Sequence, residues 1–435
     1  MSFYRSVSMM LVLVGLAGYP IASFADWPQF LGPNRNGVSD EKGLAREWPE
    51  GGPRVLWSVA VGEGYAGAAV RDGEVYVLDR REGTTDILRC FALNDGNELW
   101  NYSYEAPGNV GHTGSRNPPT VDEKYVYSVG MVGDFLCTDR KIHKPAWQKN
   151  FIKEFGTELP RWGYSQSPVL YKNLVIVAPQ APDAFIVAYD REKGDLVWKS
   201  AGLGRVGYVS PVVVTLAGVE QLVMTGAGSR DGSELGATAG ISLDDGSILW
   251  KYEGWQCWIP IPNATPLPGD KLFITGGYNA GSAIVQVAKG AGGFEAKEVM
   301  KLSADTCGSQ IHQPIVYKDH LYVNSNSNER LDGMSCFTLD GALKWRSKDA
   351  ESNPLFERGN FIIADDLIIA LDGKTGILYL VEPSPEGYKQ LAMAPVVEGR
   401  ELWGPLAISD GKLLVRSQDI LKCLDLKNPK VAALE

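Results

Sequence analysis

Between runs of short apolar strands, this chain concentrates Arg, His and aromatic residues in brief polar segments. GNVGHTGSRN carries His112 and Arg116, PRWGYSQS carries Arg161, Trp162 and Tyr164, and GRVGYVS carries Arg205 and Tyr208. GWQCWIPIPN brings Trp255, Trp258 and Asn263, GSQIHQ brings His312, FERGN brings Glu357 and Arg358, and ELWGP brings Glu401 and Trp403. Aromatic planes interleaved with guanidinium and imidazole groups suit a flat or anionic ligand, or a sugar. A carboxylate such as Glu357 or Glu401 beside His312 would be an acid–base set for a polysaccharide hydrolase or lyase, although no paired-carboxylate signature accompanies it. Motifs for other chemistry are missing from the sequence: HExxH, GxSxG, a Walker loop, an EF-hand loop and CxxCH.

These segments share a place in a repeat. FALNDGNELW, VAYDREKGDLVWKS, ISLDDGSILW and CFTLDGALKW each read as strand, turn and strand ending in Trp, at Trp100, Trp198, Trp250 and Trp345, with CTDRKIHKPAW at Trp147 a looser copy. The Trp spacings are 47, 51, 52 and 95, the last being two periods. A second series places Pro118, Pro168, Pro211, Pro266, Pro314 and Pro405 at the head of a strand, where the missing N–H breaks no ladder bond. Two series with one period and a fixed offset predict a four-stranded antiparallel unit, the blade of a β-propeller. First strands are expected near residues 66, 117, 167, 210, 264, 313, 359 and 404, which makes eight blades. Blades five and seven lack the Trp, and the eighth has three strands before the chain stops. The unpartnered strand RVLWSVAV, Arg54 to Val61, should supply its outer strand and close the ring. The Trp residues are expected to pack between neighbouring blades. In such a ring the segments leading into the first strands, together with the loops from second to third strands, gather around one mouth of the central channel.

The expected organisation is therefore all-β: a signal peptide over 1–25, an arm over 26–53 lying on the surface, a single eight-bladed propeller over 54–428 and a tail over 429–435. Arg5, the apolar run SMMLVLVGLAGYPIA and the small residues of Ser23-Phe24-Ala25 make an export signal with cleavage after Ala25. The run is too short for a comfortable membrane span. The mature protein is thus expected to be periplasmic or secreted, without a transmembrane segment. With 42 Lys and Arg against 52 Asp and Glu, the formal net charge is -10, and no basic run could track a phosphate backbone, which excludes nucleic acid as a partner. Cys90, Cys137, Cys336 and Cys423 fall near one place in the third strand of four blades and read as small buried hydrophobes. Cys257 and Cys307 lie in the segments leading into consecutive blades, where export would permit a disulfide. His143 and His320 lie at turns and read as solvated.

VAYDREKGDLVW, with Ala188, Asp190, Gly194 and Trp198, resembles the tryptophan-docking motif of the pyrroloquinoline quinone (PQQ) repeat, with Lys193 where Thr is usual. The start, DWPQFLGPNRNGVS followed by WPEGGPRVLWSVAVGEGYAG, is similar to exported PQQ-like propeller proteins abundant in planctomycetes and related bacteria. The resemblance covers nearly all of the chain beyond the leader. It implies the superfamily of quinoprotein alcohol dehydrogenases, related in fold to the propeller lipoprotein of outer-membrane β-barrel assembly. A fold does not settle a function. A PQQ dehydrogenase needs Ca²⁺ with oxygen ligands, a ring-stacking group and a carboxylate base. The best-known members stack the quinone on a disulfide between adjacent cysteines. Here none of the six cysteines is adjacent to another, and no haem motif is fused. The leading expectation is an exported binding or scaffold module that presents its mouth to a protein partner, a carbohydrate or a small molecule. A PQQ- and Ca²⁺-dependent dehydrogenase of alcohols or sugars is the main alternative, and a polysaccharide-active hydrolase or lyase the second.

Overall fold

Apolar side chains run nearly unbroken along the inner strands, and successive residues face opposite sides, so each sheet carries an apolar layer on both faces and stacking sheets around an axis covers both. The computed structural model describes residues 25–428 and realises this arrangement with eight sheets. Their innermost strands are Ala69–Arg71, Thr120–Val121, Val169–Tyr171, Val212–Leu216, Thr265–Leu267, Ile315–Tyr317, Phe361–Ala364 and Ala407–Ser409. In blade one, Val75 and Val77 pack toward blade eight while Tyr76 and Leu78 pack toward blade two, as a period of two requires. Apart from Ala25, the leader lies outside the described residues, as does the tail over 429–435. Among the described residues no helix is long and apolar enough to cross a membrane.

The ring closes as expected. Arg54–Ala60 pairs antiparallel with Ile420–Asp425 as the fourth strand of blade eight, with Trp57 opposite Cys423. Cys90, Cys137 and Cys336 stand in the same relation to Trp100, Trp147 and Trp345, and Ala188 and Gly240 to Trp198 and Trp250. A small residue opposite each indole leaves room for it to lie across the strand, which accounts for the four cysteines recurring at one place. Each is fully buried. The Trp57 indole N–H donates to the Leu93 carbonyl of blade one at 2.8 Å. Its ring covers Gly96, at φ +73°, where a Cβ would stand 2.7 Å from the indole. Trp147 and Trp198 donate in the same way to Arg191 and Leu243 of the next blade. In blade two His143, at φ 61°, occupies the turn position that glycine holds elsewhere. It is exposed, and its imidazole also stacks on Trp100 with centroids 4.8 Å apart and planes at 10°. The seam has a second fastening: Arg416 of blade eight donates to the carbonyls of Ala66, Leu78 and Gly62. Its burial pushes the guanidinium down to about 10.

The arm before the latch strand is anchored to the ring by a few buried residues, with exposed ones between them. Trp27 is 2% exposed and exchanges backbone hydrogen bonds with Val70 of blade one, and the Pro28 carbonyl accepts from Val121 of blade two. Arg35 reaches the Leu170 carbonyl of blade three, and Gly37 meets Ile315 of blade six. Val38–Ser39 then adds a parallel strand to Phe361–Ala364 of blade seven, and Ala45 donates to Leu426 of blade eight. The arm thus crosses the end of the channel away from the lead-in loops. The reason is physical: Trp27, Leu31 and Leu44 bury apolar surface against ends of the inner strands that nothing else would cover.

Replacing Trp57 with Ala removes the indole and leaves a void at the seam. We expect unfolding free energy to fall by about 3–5 kcal/mol, seen as a lower urea midpoint. A loss below about 1 kcal/mol would show that the seam does not depend on this docking.

Candidate functional site

The segments leading into the first strands converge on the axis and enclose a cavity of about 450 Å³. This volume suits a small molecule, since ligand pockets run from roughly 300 to 1,000 Å³. Phe30 of the arm lines it, together with residues of several blades. On one side the Arg116 guanidinium lies 5.2 Å over the Tyr65 ring, and Tyr65 stacks on Trp403 at 6.0 Å and 28°. Arg358 in turn lies 4.9 Å over Trp403. The His112 imidazole stands 6.3 Å from Tyr65 and 6.1 Å from Trp403. Trp162 meets Tyr208 edge-on at 5.4 Å, and Tyr278 completes the aromatic lining.

The charges are arranged unequally. Arg358 is spoken for: its Nε and Nη2 donate to Glu357, and its Nη1 to Asn328 at 2.6 Å. Arg116 donates through Nη2 to the carbonyls of Gly111 and His112, while its Nε is buried without a partner. Among the described residues no carboxylate pairs with it within salt-bridge distance, and desolvation pulls its pKa down. Glu401 accepts from the Tyr65 hydroxyl at 2.8 Å and meets His112 Nδ1 at 3.1 Å. Burial, and then the bond to Glu401, push the Tyr65 phenol up to about 12. The backbone here is also unusual. His112, Tyr278, Arg358 and Glu401 have φ of 56°, 58°, 55° and 51°. For residues other than glycine this conformation costs about 1 kcal/mol or more each and persists only where the surroundings enforce it.

Of the residues that sequence singled out, His112, Arg116, Trp162, Tyr208, Asn263, His312, Arg358 and Trp403 line this cavity. Arg161 and Trp258 do not. They line a neighbouring groove with Arg205 and Arg230, which shares Trp162 and Tyr208 with the cavity. Tyr164 is fully buried against Phe151, with ring centroids 5.2 Å apart. A five-residue helix, Phe151–Phe155, follows blade two and offers it that ring. Trp255 is buried and donates to the Ala280 carbonyl. Three aromatic cavity residues were missed: Tyr65 sits inside the glycine-rich VGEGYAG, Tyr278 follows a second strand, and Phe30 belongs to the arm. The disulfide between Cys257 and Cys307 is not formed, and both are buried free thiols. They pack on opposite faces of blade five, Cys257 with Leu272 and Ile274 and Cys307 with Phe273 and Ile284, so the sheet separates them.

His312 is no partner for either carboxylate. Its Nε2 faces the Arg358 carbonyl at 2.8 Å and its Nδ1 the Asn360 side-chain amide at 3.0 Å. The Asn360 carbonyl oxygen in turn accepts from the Leu406 N–H at 2.9 Å. A ring that donates from Nε2 and accepts at Nδ1 is neutral, and burial pushes its pKa down to about 4. The residues also do not fit Ca²⁺ with a quinone. Glu401 and Glu357 are engaged as described, and Asn263 Oδ1 accepts from the Ser210 N–H at 3.2 Å. Among the described residues no group of three or more His, Cys, Asp and Glu could hold a metal ion.

Because an unfolded histidine protonates near about 6.5 and the native His312 only near about 4, stability is unaffected above that window and falls as pH drops through it. We expect a loss of about 3 kcal/mol by pH 4 that the substitution His312→Gln largely removes. Urea unfolding at pH 7 and pH 4 measures it, and equal slopes in both proteins would contradict the neutral, buried assignment.

Residues 84–257 match the family model described as outer membrane protein assembly factor BamB. No curated protein matches the chain. Among solved structures, the quinohemoprotein alcohol dehydrogenase of Comamonas testosteroni is similar with a TM-score of 0.63 at 12% identity, over 93% of this chain and 81% of that one. A europium-containing methanol dehydrogenase is similar with a TM-score of 0.66 at 13% identity, over 90% of each chain. The computationally designed Ika8 protein follows with a TM-score of 0.53 at 10% identity, over 86% of this chain and 99% of that one. At these identities the structures share a fold and say nothing of a reaction. Residues 84–257 thus match the assembly-factor model, and the described residues form an eight-bladed β-propeller that shares the fold of the two dehydrogenases.

Proposed function

We propose that this protein is an exported binding propeller whose axial cavity captures a small acidic ligand, a sugar acid or a flat carboxylated ring. The observation that carries this reading is Arg116, a half-buried guanidinium in an aromatic-lined cavity whose Nε is enclosed without a partner and which, among the described residues, has no carboxylate in salt-bridge contact. A partly desolvated cation of this kind gains from meeting an anion. The cluster of left-handed residues around it supports the same reading, because such strain collects at ligand sites. The quinone dehydrogenase reading is weaker, since the donors it needs are occupied. A second reading, docking of a protein on the rim, is favoured by the apolar Leu99, Ile142, Leu196 and Val197, all 44–68% exposed on the outer strands and turns of the stretch that matches the assembly-factor model.

Isothermal titration calorimetry with uronic-acid oligosaccharides, neutral oligosaccharides of equal length, and PQQ with and without Ca²⁺ tests the reading. We expect saturable binding of the acidic members, weakened about tenfold or more by Trp403→Ala. Heat only with PQQ and Ca²⁺, followed by dye reduction with an alcohol or sugar, would replace this reading by the dehydrogenase. Silence across the panel would leave the rim-docking reading standing.

A further inference from the structure

We propose that His112 and Glu401 form a general-base dyad in the axial cavity and that it eliminates across a glycosidic bond of a uronate-containing glycan. The inference rests on the acidic-ligand reading above and adds a reaction to it. The geometry is that of an imidazole oriented by a carboxylate: Glu401 Oε2 faces His112 Nδ1 at 3.1 Å, which sets the proton on Nδ1 and leaves Nε2 a lone pair. Among the described residues nothing pairs with Nε2, and the side chain is 42% exposed where it lines the cavity. His312, whose ring is saturated on both nitrogens, shows the contrast. Both members of the dyad are held in the left-handed region, at φ 56° and 51°, from loops 289 residues apart in sequence. The Tyr65 hydroxyl fixes the second position of Glu401 by donating to the same oxygen.

The surrounding groups supply what the reaction lacks. Arg116, whose guanidinium donates to the His112 carbonyl, is placed to neutralise a substrate carboxylate and so acidify the adjacent C–H. The Tyr65–Trp403 pair, with His112 within 6.3 Å of both rings, offers the sugar a face to lie on. In the step, the Nε2 lone pair of His112 takes the proton from the ring carbon that bears the carboxylate. The C–H electrons form a C=C bond as the C–O bond on the neighbouring carbon breaks. Water protonates the leaving oxygen, and His112 returns its proton to the hydroxide so formed. One alcohol end and one unsaturated uronate result, with no oxidant or reductant consumed.

The test pairs calorimetric binding with absorbance near about 235 nm, where the unsaturated uronate absorbs, on oligogalacturonate, oligomannuronate and unsulfated chondroitin oligosaccharides. The wild-type protein should bind at least one of these and release the chromophore. His112→Gln should lower that rate about 100-fold or more while binding stays within a few-fold. Glu401 is a positioning residue. Around His112 the charged and titratable groups are Glu401, Tyr65 and Arg116, with Arg400 near Tyr65. In Glu401→Gln the rate should fall about tenfold or more while binding stays within a few-fold, and Glu401→Asp, which keeps the carboxylate, should restore part of it. Binding without chromophore overturns the dyad and leaves the binding reading intact. Chromophore released equally by wild type and His112→Gln also overturns it. Absence of binding by every probe overturns both.

Discussion

Arg54–Ala60 is the strand on which the rest depends, because a propeller is a sheet-stack that must meet itself. Without this strand, blade eight would present an open edge and blade one an uncovered face. Its contribution is not hydrogen bonding alone. Trp57 bridges to Leu93 of blade one, and the largest apolar cluster of the protein joins blades seven, eight and one with Trp27 and Leu44 of the arm. Arg416 crosses the same seam to three carbonyls of the opposing side.

The seam also builds the chemistry. Tyr65 follows the latch strand by a few residues, while Glu401 and Trp403 lead into the last blade. Their contacts, 336 residues apart for Tyr65 and Glu401, exist only once the ring has closed. Blade one contributes the other half. Arg80, fully buried with Asp86, donates to the carbonyls of Gly83, Ala106 and Gly108 and so pins the loop that carries His112. A buried ion pair adds little to stability by itself, but one whose Nη2 also reaches three carbonyls fixes a backbone conformation, even with Nε unpartnered. The arm then packs against inner strands at the far end of the channel, and its Phe30 lines the cavity.

The architecture was legible because its signals are local and repeated. Trp at the end of the fourth strand, a small residue opposite it in the third and Pro at the head of the first recur with one period, and each has a steric reason visible within a single blade. The latch could be read because RVLWSVAV carries the same Trp signal as the strands it replaces. The arm could not, since Trp27, Leu31 and Leu44 have no periodicity and their burial is decided by inner-strand ends far away in sequence. The site was half legible. Residue types marked the right loops, yet His312 and His112 look alike there, and only the Asn360 amide behind one and Glu401 beside the other distinguish them. Tyr164 misled because a short helix offers its ring a buried partner in Phe151, and Cys257 and Cys307 misled because a place in consecutive lead-in segments does not reveal which face of a sheet a side chain takes.

The central claim is that the N-terminal strand is an integral part of the ring and not an accessory. Hydrogen exchange followed by mass spectrometry measures this on the intact protein. Amides of 54–60 should exchange as slowly as those of 420–425, in the class that opens only with the whole propeller. Exchange of 54–60 at loop rates while 420–425 stays protected would mean that blade eight stands with three strands and that the cavity does not need the seam.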